Sequence, residues 1–182
     1  MLSCEEEGIL SQDTNPNAEP YEVKKSVRFN VSNESRKQRT VTVEWELKSV
    51  DWTVKRQESM VVQVEELSAK WMEKVELPEA DLYSDYVIYR LKDNGEILSE
   101  STVLFCQPKY FAYPDPKLCC HVEGDTIVVE AKAYAHDVEI LNENEDLILQ
   151  DNYFDMEAGE KRIKIIEGRP EGLRVRSVYD IR

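Results

Sequence analysis

Long hydrophobic runs are missing from this sequence. No apolar stretch approaches the roughly 20 residues that cross a bilayer as a helix, and the start MLSCEEEGIL has neither a basic n-region nor a long apolar h-region. The expectation is a soluble, cytoplasmic chain without an export signal. Basic residues are few beside acidic ones, 23 Lys and Arg against 37 Asp and Glu, for a net charge of -14. Proteins bind DNA and RNA by replacing condensed counterions with Lys and Arg, so nucleic acid is excluded as a partner. The same charge sum repels anionic membrane surfaces. Cysteine is sparse: Cys4, Cys106, Cys119 and Cys120 lack the spacing of a zinc site, and adjacent Cys119 and Cys120 would point to opposite faces of a strand as reduced thiols. Only two histidines, His121 and His136, are available to serve a nucleophile, and neither lies beside a glycine-rich elbow. Helical windows are almost absent as well, which removes the strand-helix alternation of parallel-sheet enzymes.

What remains is period-two alternation in short runs. In RTVTVEWEL, Val41, Val43, Trp45 and Leu47 share one face while Thr42, Glu44 and Glu46 share the other, the pattern of a half-buried antiparallel strand. SVRFNVSN and MVVQVEEL flank it, and LSCEEEGIL reads as an edge strand. YVIYRLKDNGEILSESTVLF reads as a hairpin around Asn94-Gly95. CQPKYFAYPDPKL then places three prolines and three aromatics in thirteen positions and predicts a semi-rigid linker. Alternation resumes in DTIVVEAKAYA, DVEIL, DLILQ, KRIKII and GLRVRSVY, with NENED as a hairpin tip between DVEIL and DLILQ. The expected fold is all-β: two tandem immunoglobulin-like antiparallel β-sandwiches, over residues 1–110 and 111–182. A faint echo between VEELSAKWMEKVEL and FDMEAGEKRIKII fits that division.

The densest group of chemically distinctive residues is LQDNYFDMEAGE, with Asp151, Asp155, Glu157 and Glu160. A glycosidase needs two carboxyls held roughly 5 to 10 Å apart in a cleft, whereas here the acids fall in turns or on polar strand phases. Asn142-Glu143 and Asn144-Glu145 fall in a turn too. Neither NENED nor DNYFDME has the D-x-[DN]-x-[DN]-G pattern of a calcium loop. No catalytic residue, cofactor or metal ligand is assigned. The run reads instead as a structural corner: Asp151 and Asn152 bond nearby backbone N–H groups as Asx turns do. Phe154 and Met156 drop onto the core, Tyr153 and Asp155 face out, and Gly159 turns the chain into KRIKII. Trp45 lies on a core face. Trp52, after a Ser-Val-Asp turn, and Trp71, after a Ser-Ala-Lys turn, would close sandwich ends, with stacking on a sugar ring as the alternative.

With these residues laid out, VEGDTIVVEAKAYAHDVEIL, LQDNYFDMEAGEKRIKI and LRVRSVYDIR resemble the C-terminal β-sandwich of β-mannosidases of glycoside hydrolase family two. There a DN-aromatic-FD run precedes a glycine-glutamate turn, and the chain closes on Arg-Ser-aromatic-Asp. The first half is similar to the immunoglobulin-like module that precedes that sandwich, including the linker form F-x-x-P-K, here Phe105 to Lys109. The resemblance implies a C-terminal part of a retaining exo-acting β-mannosidase whose catalytic glutamates lie on an upstream (β/α)8 barrel, the expected partner. This chain is too short for the roughly 250 residues of such a barrel, so no catalytic residue carries over. The implied role is support of that barrel; a carbohydrate-binding pair using Trp52 or Trp71 is the alternative. Oligomeric state and the parent's preferred substrate stay open.

Overall fold

The alternation in RTVTVEWEL becomes one of the two longest strands. The computed structural model describes residues 1–8 and 23–181, which divide into two compact units, Met1–Phe111 and Ala112–Arg182. In the first unit the strands are β1 (Leu2–Glu7), β2 (Ser26–Asn33), β3 (Arg39–Ser49), β4 (Val54–Val64), β5 (Ser68–Trp71), β6 (Val75–Glu76), β7 (Asp85–Asp93) and β8 (Glu96–Leu104). They form two antiparallel sheets, one ordered β1-β2-β5 with β6 also paired to β2, the other ordered β4-β3-β7-β8. Every second residue of β2, β3 and β7 faces the other sheet, so Val27 and Phe29, Val43, Trp45 and Leu47, and Val87, Tyr89 and Leu91 fill one core. Phe29 packs 6.2 Å from Trp45 and 5.5 Å from Tyr89, centroid to centroid. The β7–β8 hairpin turns on Asn94 and Gly95 at φ 50° and 87°, the positive pair that a tight two-residue turn demands.

In the second unit the strands are β9 (Cys119–Glu123), β10 (Thr126–Ala131), β11 (Ala135–Leu141), β12 (Ile148–Leu149), β13 (Phe154–Met156), β14 (Gly159–Glu167) and β15 (Arg174–Arg176), followed by one helical turn, α1 (Val178–Ile181). The sheets are β12-β14-β10-β9 and β13-β11-β15. Ile127 and Val129 of β10, Val138 and Ile140 of β11, Phe154 and Met156 of β13 and Ile163 of β14 make the core. All-β tandem sandwiches are thus what the alternation encodes.

Several elements differ from the sequence expectation. DVEIL and DLILQ do not form a hairpin: β11 pairs with β13 and β15, whereas β12 pairs with β14, so NENED carries the chain from one sheet to the other. DTIVVEAKAYA stops as a strand at Ala131, where the Lys132 N–H turns to Pro116 O at 2.7 Å. SAKW is a strand rather than a turn, paired with β2 through Asn30 and Trp71. In the segment CQPKYFAYPDPKL, Pro108–Tyr110 form a short 3-10 turn, and Cys106, Phe111 and Tyr113 are buried. Of LSCEEEGIL, β1 accounts for Leu2–Glu7, and Ile9 and Leu10 lie outside the described residues. The two echoing segments both switch sheets, from β4 to β5 and from β13 to β14.

Candidate functional site

The DNYFD run lies along β11 and is fastened to it at three points. Asn152 lends its side-chain amide to the ladder: its Oδ1 accepts from Ile140 N–H at 2.9 Å and its Nδ2 donates to Ile140 O at 3.2 Å, as an opposing strand residue would. The same Oδ1 accepts from Tyr153 N–H at 3.1 Å, closing a turn in which Tyr153 sits at φ 60°. Two residues on, Asp155 Oδ1 accepts from His136 Nδ1 at 2.7 Å and from Asp137 N–H at 3.0 Å. Those residues form the bulge that shifts the β11–β13 register between Ala135 and Val138, with Asp137 at φ 50°. The third fastening is Glu139, which accepts from Tyr153 Oη at 2.6 Å and from Arg176 Nε at 2.6 Å. The Tyr153 hydrogen bond, then Arg176, hold the Glu139 carboxyl below its ordinary range.

The closing RSVYD therefore meets DNYFD on one carboxylate. Beyond Arg176, buried Ser177 starts the helical turn and Asp180 reaches back, its Oδ2 accepting from Ser177 N–H at 2.7 Å. That is one arm of a capping box, and it explains the Ser-x-x-Asp spacing. Asp155 is the main correction to the sequence reading. It does not face out: its side chain is only 11% exposed. Asp151 pairs with Lys161 Nζ at 3.2 Å instead of making an Asx turn. Phe154 and Met156 are buried as the alternation requires, Tyr153 is exposed, and Gly159 opens β14 at φ 138°.

His136, Asp137 and Asp155 are the one group of three such side chains, among the described residues, whose donor atoms come close enough to share a cation. The Asp155 oxygen facing the imidazole already accepts two hydrogen bonds, so the arrangement is that of a clamp on a bulge. His136 stacks on Tyr113 with centroids 6.2 Å apart. Burial pulls its pKa down, but the hydrogen bond and charge of Asp155, with Asp137, outweigh that and raise it above the ordinary 6.5. His121 is exposed between Glu123 and Glu130 at 3.2 and 3.7 Å. Buried Asn142 anchors the crossover loop by donating to Arg169 O at 2.9 Å. Gly168, at φ 95°, lets Asp146 O approach so closely that a Cβ would stand 2.3 Å from it.

In the first unit the sequence gives no hint of Asp85, a carboxylate with no exposed surface. Its Oδ2 accepts from Lys55 Nζ at 2.5 Å and from Asp81 N–H at 2.6 Å, while Oδ1 is buried with no hydrogen-bond partner among the described residues. Asp81 in turn accepts from Tyr83 N–H and Ser84 N–H, shaping the loop before β7. Trp45 is fully buried, with Arg56 over its ring at 5.4 Å. Trp52 and Trp71 do not close the sandwich ends: they are 55% and 49% exposed. The cysteines are all free; burial pushes the Cys4 thiol up to about 12 and the Cys106 thiol up to about 11, so neither is a thiolate near neutral pH.

Two all-β units in tandem, each of antiparallel sheets, place the chain in the class of immunoglobulin-like sandwich proteins. Comparison with known proteins specifies it. Residues 25–110 match the family model described as "Mannosidase Ig/CBM-like domain", and residues 113–181 match the mannosidase model described as "Ig-fold domain". The chain belongs to these immunoglobulin-like domains of mannosidases. Among solved structures it resembles the β-D-mannosidase of Dictyoglomus thermophilum, at a TM-score of 0.67 and 12% identity. The match covers 97% of this chain and 21% of that one, so the chain spans about a fifth of that enzyme's length. No curated protein sequence matches it.

Proposed function

We propose that the chain is the non-catalytic C-terminal region of a β-mannosidase, supporting an upstream catalytic (β/α)8 barrel that releases terminal β-D-mannose from β-mannosides. One observation carries this reading: two different mannosidase domain models lie in tandem over almost the whole chain. The division near residues 110 and 111 belongs to the same proposal, each sandwich acting as its own module. The physical role follows from the corners. Hydrogen-bonded carboxylates fix loops and bulges that alternation alone leaves free, giving rigid modules able to brace a larger neighbour. Removing residues 1–182 from the parent enzyme should lower its melting temperature and soluble yield before it lowers kcat at temperatures well below melting. An unchanged melting curve would count against the bracing role.

A second reading is favoured by the exposure of Trp52 and Trp71, each about half open to solvent. Either indole would serve as a platform on which a sugar ring stacks, so that the pair of modules holds carbohydrate near the parent's active site. Calorimetric titration with manno-oligosaccharides separates this from bracing alone, since no heat at millimolar ligand removes it.

A further inference from the structure

Trp52, Trp71, Tyr83, Tyr110 and Tyr153 are the exposed aromatic side chains among the described residues. Three are already engaged, two beneath a cation and one through its hydroxyl. The Arg28 guanidinium lies 5.0 Å over the Trp71 ring, Lys109 lies 4.7 Å over Tyr110, and the Tyr153 hydroxyl donates to Glu139. Trp52 and Tyr83, 55% and 44% exposed, are left, and among the described residues their side chains make no hydrogen bond or ring contact.

These two residues leave the same end of one sheet. The β3–β7 ladder ends at the Ser49–Asp85 pair, and Val50 N–H then donates to Ser84 O at 2.9 Å, extending the pairing by one step. Trp52 caps the β3–β4 connection on one side of that bond and Tyr83 precedes β7 on the other. Trp52 holds φ 75°, a left-handed conformation that a bulky side chain adopts only when its surroundings impose it. The imposing contacts are all local: Trp52 N–H to Ser49 O at 2.8 Å, Ser49 N–H to Thr53 O at 3.0 Å, and Thr53 N–H to Asp51 Oδ1 at 3.0 Å. Tyr83 is fixed equally firmly, its N–H donating to Asp81 at 2.9 Å in the loop anchored by buried Asp85 on Lys55. The backbone of both loops is thus preorganised, and what it presents outward is two open aromatic faces.

From this geometry we infer that the Trp52–Tyr83 end of the first unit is a contact site for neutral carbohydrate, with the Trp52 indole as the stacking platform. The inference rests on the carbohydrate reading above and narrows it, moving the contact from Trp71, one face of which Arg28 covers, to Trp52. A pyranose ring offers a flat C–H face to an indole, and its hydroxyls are matched by the Tyr83 hydroxyl, the Trp52 Nε1–H and the Asp51 carboxylate at the same loop tips. Asp51 and the net charge of -14 oppose a uronate or a sulfated glycan. Loops gathered at one end of an immunoglobulin-like sandwich are a general location for ligand contacts.

Isothermal titration of the 182-residue chain with β-1,4-mannotetraose, and separately with an oligogalacturonate, tests the inference. The expected result is saturable millimolar binding of mannotetraose, weakened about tenfold or more by Trp52→Ala and by a smaller factor by Tyr83→Ala. Trp71→Ala should leave it unchanged, and the oligogalacturonate should not bind. Superimposable melting curves establish that the variants are folded. No heat with mannotetraose would overturn this inference and the carbohydrate reading together, leaving the bracing role standing. Loss in Trp71→Ala with binding intact in Trp52→Ala would overturn only the narrower inference. Equal binding by every variant, or of the oligogalacturonate, would also overturn it.

Discussion

Asp85 in the first unit and Asp155 in the second each hold an irregular piece of backbone in place, by different chemistry. Asp85 has no exposed surface, takes its positive partner from Lys55 two strands away in the same sheet, and fixes the Asp81–Ser84 loop. Asp155 keeps 11% of its side chain exposed, takes its partner from His136, and fixes the bulge in β11. A histidine titrates near physiological pH, so the second clamp is conditional on the charge of its partner. The difference shows how two sandwiches of one class, each built on the same alternation, acquire different sensitivities from a single side-chain choice.

The comparison breaks most visibly at the buried pair. Lys55→Ala strands the Asp85 carboxylate without its cation, and a denaturant melt should show a loss of about 3 to 5 kcal/mol in the first unit. Asp85→Asn should cost less, because Lys55, 31% exposed, can turn to water. In the second unit Phe154→Ala removes a core ring of the corner and should cost about 3 to 5 kcal/mol by the same measurement. Asn152→Ala leaves the Ile140 N–H and C=O without their side-chain partner, a loss of about 2 kcal/mol, and exchange of the Ile140 amide should accelerate. Asp155→Asn, which keeps the shape and removes the charge, should cost about 1 kcal/mol; a melt identical to the parent protein's would return Asp155 to the solvent-facing role the alternation assigns it.

The smallest effect is that of pH. The pKa of His136 is raised in the folded state, so its contribution is fully present below the ordinary value of 6.5 and is lost as pH rises through the higher folded value. Across that interval the second unit should lose stability by thermal melting, and His136→Gln should remove that part of the slope. A slope identical in the variant would show that the clamp does not titrate.

The legible parts of this fold are those where local pattern and tertiary structure agree. β2, β3 and the β7–β8 hairpin could be read because their inward residues alternate and because Asn94-Gly95 can take the positive φ pair. The burial of Phe154 and Met156 follows the same alternation. The sheet-switching crossover at NENED was not legible, because a turn-rich loop looks alike whether it joins neighbours or crosses a sandwich. Asp155 was misplaced because alternation breaks at a bulge, and the bulge lies on the partner strand, 18 residues earlier in the chain. Asp85 and Lys55 stand 30 residues apart, and neither carries a local sign of burial. The exposure of Trp52 depends on a left-handed residue that no propensity favours for tryptophan. What the sequence does carry is family membership, through DNYFD and RSVYD, which meet on Glu139.

The most direct test of the account is hydrolysis of an aryl β-D-mannoside by the purified 182-residue chain. A pair of bracing sandwiches predicts release of aglycone at the rate of buffer alone. Turnover in the ordinary enzymatic range of about 1 to 1000 per second would contradict it and return the carboxylates of LQDNYFDMEAGE to candidacy as catalysts.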